Sequence, residues 1–244
     1  MIDTSAFVDL TRGFFGDVQL GSAKENDALE EVVSSSFLRH YLTKRDWTSL
    51  RALLCSLGDN TERFVAMYFS EEYDSCLGSD FLHALCLRGA PVDVVRTLVQ
   101  LCPGMVSERD SLGRTPLHIA VENGDGDNSL SVVRFLLSQY PKAVETRDKN
   151  GMTPLMRACR RTAKPNPDMR HCGGKLDGAT LVSLVKVLAL ASPQSVIVED
   201  KSERTALEHA ILLGAPVAVV KLLQRVTIDV RRRRMESFDY EAWA

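Results

Sequence analysis

The stretch GRTPLHIAVENG, residues Gly113–Gly124, carries its own start and stop signals for a short helix. Thr115 suits the N-cap, where a hydroxyl takes an orphan helix N–H. Pro116 suits the first helical position, where a missing N–H costs nothing. Gly124 suits the left-handed residue that closes such a helix. The same register returns along the chain. GMTPLMRAC repeats it from Thr153 and ERTALEHAILLG from Thr205, while the degenerate SDFLHALCLRG places Asp80 in the threonine position. At the last of these, Thr205 and Glu208 supply a capping box in place of proline. Gly89 and Gly214 are placed to close the first and fourth helices.

Each start is followed by a second apolar pattern, built on the pairs Val94-Val95, Val132-Val133, Leu184-Val185 and Val219-Val220. From the second residue of a pair to the next start the distance is 20 every time: 95 to 115, 133 to 153, 185 to 205. From start to pair it is 15, 18, 32 and 15. All the irregularity therefore falls in one connection, a surface turn that tolerates insertion because loop-closure entropy grows slowly with length. The constant path sets how one helix pair stacks on the next. That pattern predicts a solenoid. It also explains why LRGAPVDVVRTLV (from Leu87) is echoed by LLGAPVAVVKLLQ (from Leu212) at a distance that is no whole number of repeats.

In these motifs the sequence resembles the ankyrin repeat. The family's T-P-L-H-x-A signature is complete at Thr115-Pro116-Leu117-His118-Ile119-Ala120, and partly kept from Thr153 and Thr205. DSLG, DKNG and DKSE precede the starts and resemble the family's hairpin fingers, with Gly113 and Gly151 providing the turn. The third of these has Glu203 instead of glycine, which predicts a distorted tip. Leu85 replaces the family's alanine in the first unit, which makes helix packing there the weakest inference. The resemblance covers roughly residues 79–230 and implies an all-α solenoid of helix–turn–helix units with hairpin fingers and helical caps. Starts fall near 80, 115, 153 and 205, with an insertion at 162–178. Residues 25–78 read as an N-terminal cap with an incomplete first repeat. In it Asp27–Lys44 and Asp46–Gly58 form amphipathic helices, and Trp47, Leu50, Leu53 and Leu54 face inward. Residues 1–24 read as loosely held, and 231–244 as a basic tail or capping helix.

Composition places the chain among ordinary globular proteins, with 244 residues, 45% hydrophobic and 25% charged. A formal net charge of −2 hides an asymmetry: residues 1–80 hold 14 acids and 7 bases, the remainder 18 acids and 23 bases. Six scattered cysteines, several inside apolar runs, read as free thiols of a reducing compartment. The N-terminus lacks a signal-peptide pattern. The most apolar stretch, LVSLVKVLALASPQSVIV, is interrupted by Lys186 and Pro193, which argues against a membrane span. These features point to the cytoplasm, with the Arg231–Arg234 run leaving nuclear import open.

Motifs for catalysis or cofactor binding (GxSxG, HExxH, a phosphate loop) do not occur, so the expectation is a non-enzymatic protein without cofactor. Cys159, His171 and Cys172 match no zinc spacing, and no metal is expected. The resemblance implies that His118 is structural, bridging the Thr115 cap and neighbouring backbone. It also implies that partners meet the finger tips and the exposed ends of the first helices. Carried over by position, those residues are Arg88, Leu112, Arg114, Glu122, Asn123, Lys149, Asn150, Met152, Arg160, Arg161, Lys201, Arg204 and Leu212. Seven are basic and one acidic. The expected partner is therefore another protein, offering an acidic and partly apolar segment, with no membrane and no nucleic acid. The expected chain is monomeric on its own and acts as a scaffold or adaptor. The alternative is a regulatory or inhibitory subunit of an enzyme or transcription assembly.

Overall fold

A computed structural model describes residues 37–58, 61, 81–123, 126–161 and 177–241. Several expectations lie outside them: residues 1–24, the helix Asp27–Lys44 before residue 37, Asp80, Gly124, and the insertion through residue 176 with His171 and Cys172.

Among the described residues the structure is helical. Residues 37–44 form α1. Trp47–Leu57 (α2) begins at Asp46, whose carboxylate accepts from the Ser49 amide. Four helix pairs follow: Phe81–Arg88 (α3) with Val92–Leu101 (α4), and Pro116–Asn123 (α5) with Gly126–Gln139 (α6). Pro154–Arg160 (α7) pairs with Gly178–Ala191 (α8), and Ala206–Leu212 (α9) with Val217–Glu241 (α10). The short helices α3, α5, α7 and α9 pack side by side as an inner layer, while α2, α4, α6, α8 and α10 pack in that order as an outer layer.

The local signals explain these bounds. Thr153 and Thr205 cap α7 and α9, and Glu208 returns its carboxylate to the Thr205 amide to complete the capping box. Pro116 and Pro154 open their helices. Gly89 and Gly214 hold φ near +70° behind α3 and α9, where only glycine sits without strain. The outer helices of the first three units stop before Pro103, Pro141 and Pro193, each opening a short 3-10 turn. In the fourth unit the matching position is Ile228, which keeps its N–H, so α10 runs on to Glu241.

One apolar core runs through the stack. Leu82, Leu117 and Leu155 are fully buried at matching positions, and Leu207 packs against the same cluster. Each such side chain contributes about 2 kcal/mol by leaving water. Leu50, Leu53 and Leu54 are buried as expected, and Trp47 is half-buried against the core. Leu85 is fully buried, so the first unit accommodates it where the later units have alanine. Cys86, Cys102 and Cys159 are buried, and burial pushes the Cys159 thiol up to about 12.

The fourth unit changes chemistry at its stacking positions. Buried His83, His118 and Met156 give way to exposed Glu208, and the Val99, Leu137, Ala189 position becomes exposed Gln224. Polar substitution there is what a terminal repeat needs.

Candidate functional site

The fingers are built from one aspartate each. Asp110 Oδ1 accepts from the Leu112 and Arg114 amides, Asp148 Oδ1 from Asn150 and Met152, and Asp200 Oδ1 from Ser202 and Arg204. Consecutive fingers are joined by backbone bonds: the Lys149 amide donates to Leu112 O at 2.8 Å and the Lys201 amide to Asn150 O at 3.0 Å. Gly113 and Gly151 serve twice, holding φ of +73° and +78° and lying where a Cβ would come within 3.2 and 3.0 Å of the next finger's amide. Glu203 was expected to distort the third of these fingers. It does not: it takes φ +57°, and Glu203 N–Asp200 O closes the same turn as in the other two. No described finger follows, so the residue meets backbone strain without a steric clash.

The second oxygen of each aspartate takes a basic partner. Asp110 Oδ2 accepts from Arg114 Nε at 2.7 Å, Asp148 Oδ2 from Arg157, and Asp200 Oδ2 lies 2.8 Å from His209 Nε2. Arg157 also donates to Glu122 at 3.1 Å, and Arg114 lies 3.8 Å from the other Glu122 oxygen. The result is a buried chain of alternating charge, Asp110–Arg114–Glu122–Arg157–Asp148, that crosses from one helix pair to the next. Burial alone raises the Asp148 carboxyl. The Arg157 guanidinium and the Met152 and Asn150 amides outweigh it and hold the group below the ordinary carboxylate range. His209 stands where Arg157 stands one unit earlier, so its pairing with Asp200 is the same structural device.

Four of the expected contact residues are therefore corrected. Arg114, Glu122, Asn123 and Met152 are buried. Arg114 and Glu122 are neutralised within the charge chain. Asn123 Nδ2 donates to Ile119 O in its own helix. Met152 lies under the finger, where its amide and carbonyl are both bonded to neighbours. Leu112, Lys149, Asn150, Arg160, Lys201, Arg204 and Leu212 are exposed, and Arg88 and Arg161 half-buried. Sequence reasoning missed Arg157, because nothing local marks an arginine whose partner lies 35 residues away. It also missed Ile211, which is 55% exposed although the same position is buried in the three earlier units.

His118 has the bridging role that the resemblance implied. Its Nδ1 accepts from the Thr115 amide at 3.1 Å, so Nε2 carries the hydrogen and donates to Met152 O at 3.1 Å. His83 makes the matching contact to Arg114 O at 2.8 Å. A family model described as ankyrin repeats matches residues 51–144 and 82–166, in three copies. Residues 51–166 carry ankyrin repeats. Helices α9 and α10 lie beyond that match and pack as a further pair of the same stack. No curated protein matches the chain.

Ankyrin repeats generally act as protein-interaction modules, and the geometry here has that character. The inner helices and fingers form a cross-linked frame whose exposed side chains include Leu112, Lys149, Arg160, Lys201, Arg204, Ile211 and Leu212 beside Ser111, Asn150, Ser202, Glu203 and Glu208. An open, polar depression at the base of the third finger is lined by residues including Arg147, Glu199, Asp200 and Arg234. Its aspartate is already committed to the finger and to His209. Among the described residues no group of three metal-ligating side chains comes together, and no helix is long and apolar enough to cross a membrane.

Proposed function

We propose that the protein is a non-enzymatic scaffold or adaptor that takes an acidic, partly apolar protein segment on its finger and inner-helix face. One observation carries this reading. The exposed cations Lys149, Arg160, Lys201 and Arg204 flank exposed Leu112 and Leu212 on elements tied together by the Leu112–Lys149 and Asn150–Lys201 backbone bonds. Such a frame holds its side chains in place before a partner arrives, which reduces the entropy lost on binding. Arginines of this kind make charge-assisted bonds to carboxylates, and the leucines supply apolar contact. Exposed Glu199, Glu203 and Glu208 lie near the fourth unit's cations in sequence, and Asp200 is committed to its own finger and to His209. Glu208 is engaged with Thr205, whose amide and hydroxyl hold its carboxyl below the ordinary range.

The test is affinity capture with the intact chain and with a Lys149→Glu, Arg160→Glu, Lys201→Glu variant, all three sites being exposed. Proteins captured by the wild type are expected to be lost from the variant while its unfolding transition stays unchanged. Equal capture by both would remove the basic face from consideration.

A further inference from the structure

The run Arg231–Arg234 is absorbed neither by the core nor by the proposed contact face. It lies on α10, whose 25 residues compare with 10 in α4 and 14 in α6 and α8. Val230 is the last buried side chain described on α10, and residues 231–236 are all exposed. Arg234 borders the open depression at the base of the third finger. Opening these last turns therefore breaks helix hydrogen bonds without uncovering a core side chain among those described. Helical propagation contributes little per residue, so turns without core contacts open readily.

A hydroxyl residue follows the run closely: residues 232–238 read RRRMESF. Arg234 stands three residues before Ser237, Arg232 five, and Phe238 comes directly after. In an extended chain alternate residues share one side, so Arg232 and Arg234 point together. In a helix residues two apart do not face each other. The pattern is therefore legible only to a partner that takes this stretch extended, which also releases the exposed pair Arg232–Asp229. Arginine-directed protein kinases read substrates in this way. Their acidic subsites take guanidinium groups at these two positions, and an apolar pocket takes the side chain after the acceptor. Other hydroxyls beside cations are tied into the fold. Thr48 has Arg45 three residues before it, but lies in the first turn of α2 between Trp47 and Leu50, which pack on the core. Thr227 donates to the Leu223 carbonyl in the packed part of α10.

We propose that Ser237 is the acceptor site of an arginine-directed serine kinase. The Ser237 hydroxyl oxygen forms a bond to the γ-phosphorus of Mg-ATP, and the bond from that phosphorus to the β–γ bridging oxygen breaks. ADP leaves, and the hydroxyl proton passes to the kinase's catalytic aspartate. The phosphate adds about −1.5 to −2 charges at neutral pH. Residues 231–241 hold four bases and three acids, so their net charge falls from +1 to about −1. When the helix closes again, Arg233 and Arg234 stand four and three residues before the phosphoserine, one turn away, and pair with it. The modification converts an exposed basic run into a self-neutralised one, and an acidic partner of that run would be released.

Incubation of the full chain with the catalytic domain of protein kinase B and isotope-labelled ATP, followed by mass spectrometry, tests it. Label is expected at Ser237, and Ser237→Ala should remove it. Arg232→Ala and Arg234→Ala should each lower kcat/KM at least about tenfold, the loss of one charge-assisted contact. Arg231→Ala and Arg233→Ala remove the same charge from positions outside the pattern and should stay within about threefold of the wild type. All four arginines are exposed, so each variant should keep the wild-type unfolding midpoint. Label on another residue, no label, or equal rates for the Arg232 and Arg233 variants would each overturn the proposal.

Discussion

His118 and Met152 are joined across the boundary between two repeats: the ring Nε2–H donates to the Met152 carbonyl at 3.1 Å while Nδ1 is held by the Thr115 amide. Both nitrogens are occupied in the neutral ring, and the side chain is fully buried. Protonating Nδ1 would destroy the cap and leave a charge in the core. Burial accordingly lowers the group from 6.5 to about 4.

That shift fixes a pH dependence. Between pH 6.5 and about 4 the unfolded chain binds a proton at His118 and the folded chain does not. Stability is therefore fully present above the upper value and falls as the pH is lowered, by roughly 3 kcal/mol across the window. Asp148, held low by Arg157 and the Met152 and Asn150 amides, and Asp200, held low by the Arg204 and Ser202 amides and its bond to the His209 ring, in each case against the effect of burial, lose their contribution only below the ordinary carboxylate range. Urea midpoints measured from pH 7 to 4 should show the slope. A His118→Asn variant should be less stable at neutral pH and show a flatter profile; an unchanged slope would remove His118 as the cause.

Arg157 links Glu122 to Asp148 from within the core. Replacing it with methionine keeps the bulk and strands two buried carboxylates, so the expected loss is about 3–5 kcal/mol by equilibrium denaturation. Arg157→Lys should recover little of it, because one ammonium lacks the fork that reaches both acids. Full rescue by lysine would show that charge alone, without geometry, is what the site needs.

The fingers predict opposite signs for two glycine exchanges. Glu203→Gly relieves a left-handed backbone and should raise stability by up to about 1 kcal/mol. Gly151→Ala places a Cβ 3.0 Å from the Lys201 amide at φ +78° and should cost more than that gain. Thermal unfolding of the two variants beside the wild type decides it.

Much of the architecture was readable because it rests on local chemistry. Thr115, Pro116 and Thr205 announce helix starts, and the constant 20-residue path from each apolar pair to the next start fixes the stacking. The candidate site was less readable for a physical reason. Glu122 is neutralised by Arg157, which another unit contributes 35 residues away, and Arg114 is tied to Asp110 and to that same glutamate. Glu203 shows the reverse limit. A residue unsuited to its turn keeps the turn when the neighbouring bonds, Asp200 N to Arg204 O and Lys201 N to Asn150 O, determine the backbone around it.

Hydrogen exchange of the chain, free and bound to a protein recovered by the capture experiment, reads the interaction face directly. Slowed exchange in the fingers at residues 148–152 and 200–204, and at the ends of α7 and α9, is the predicted result. Protection confined to the outer helices, with the fingers exchanging as in the free chain, would contradict it.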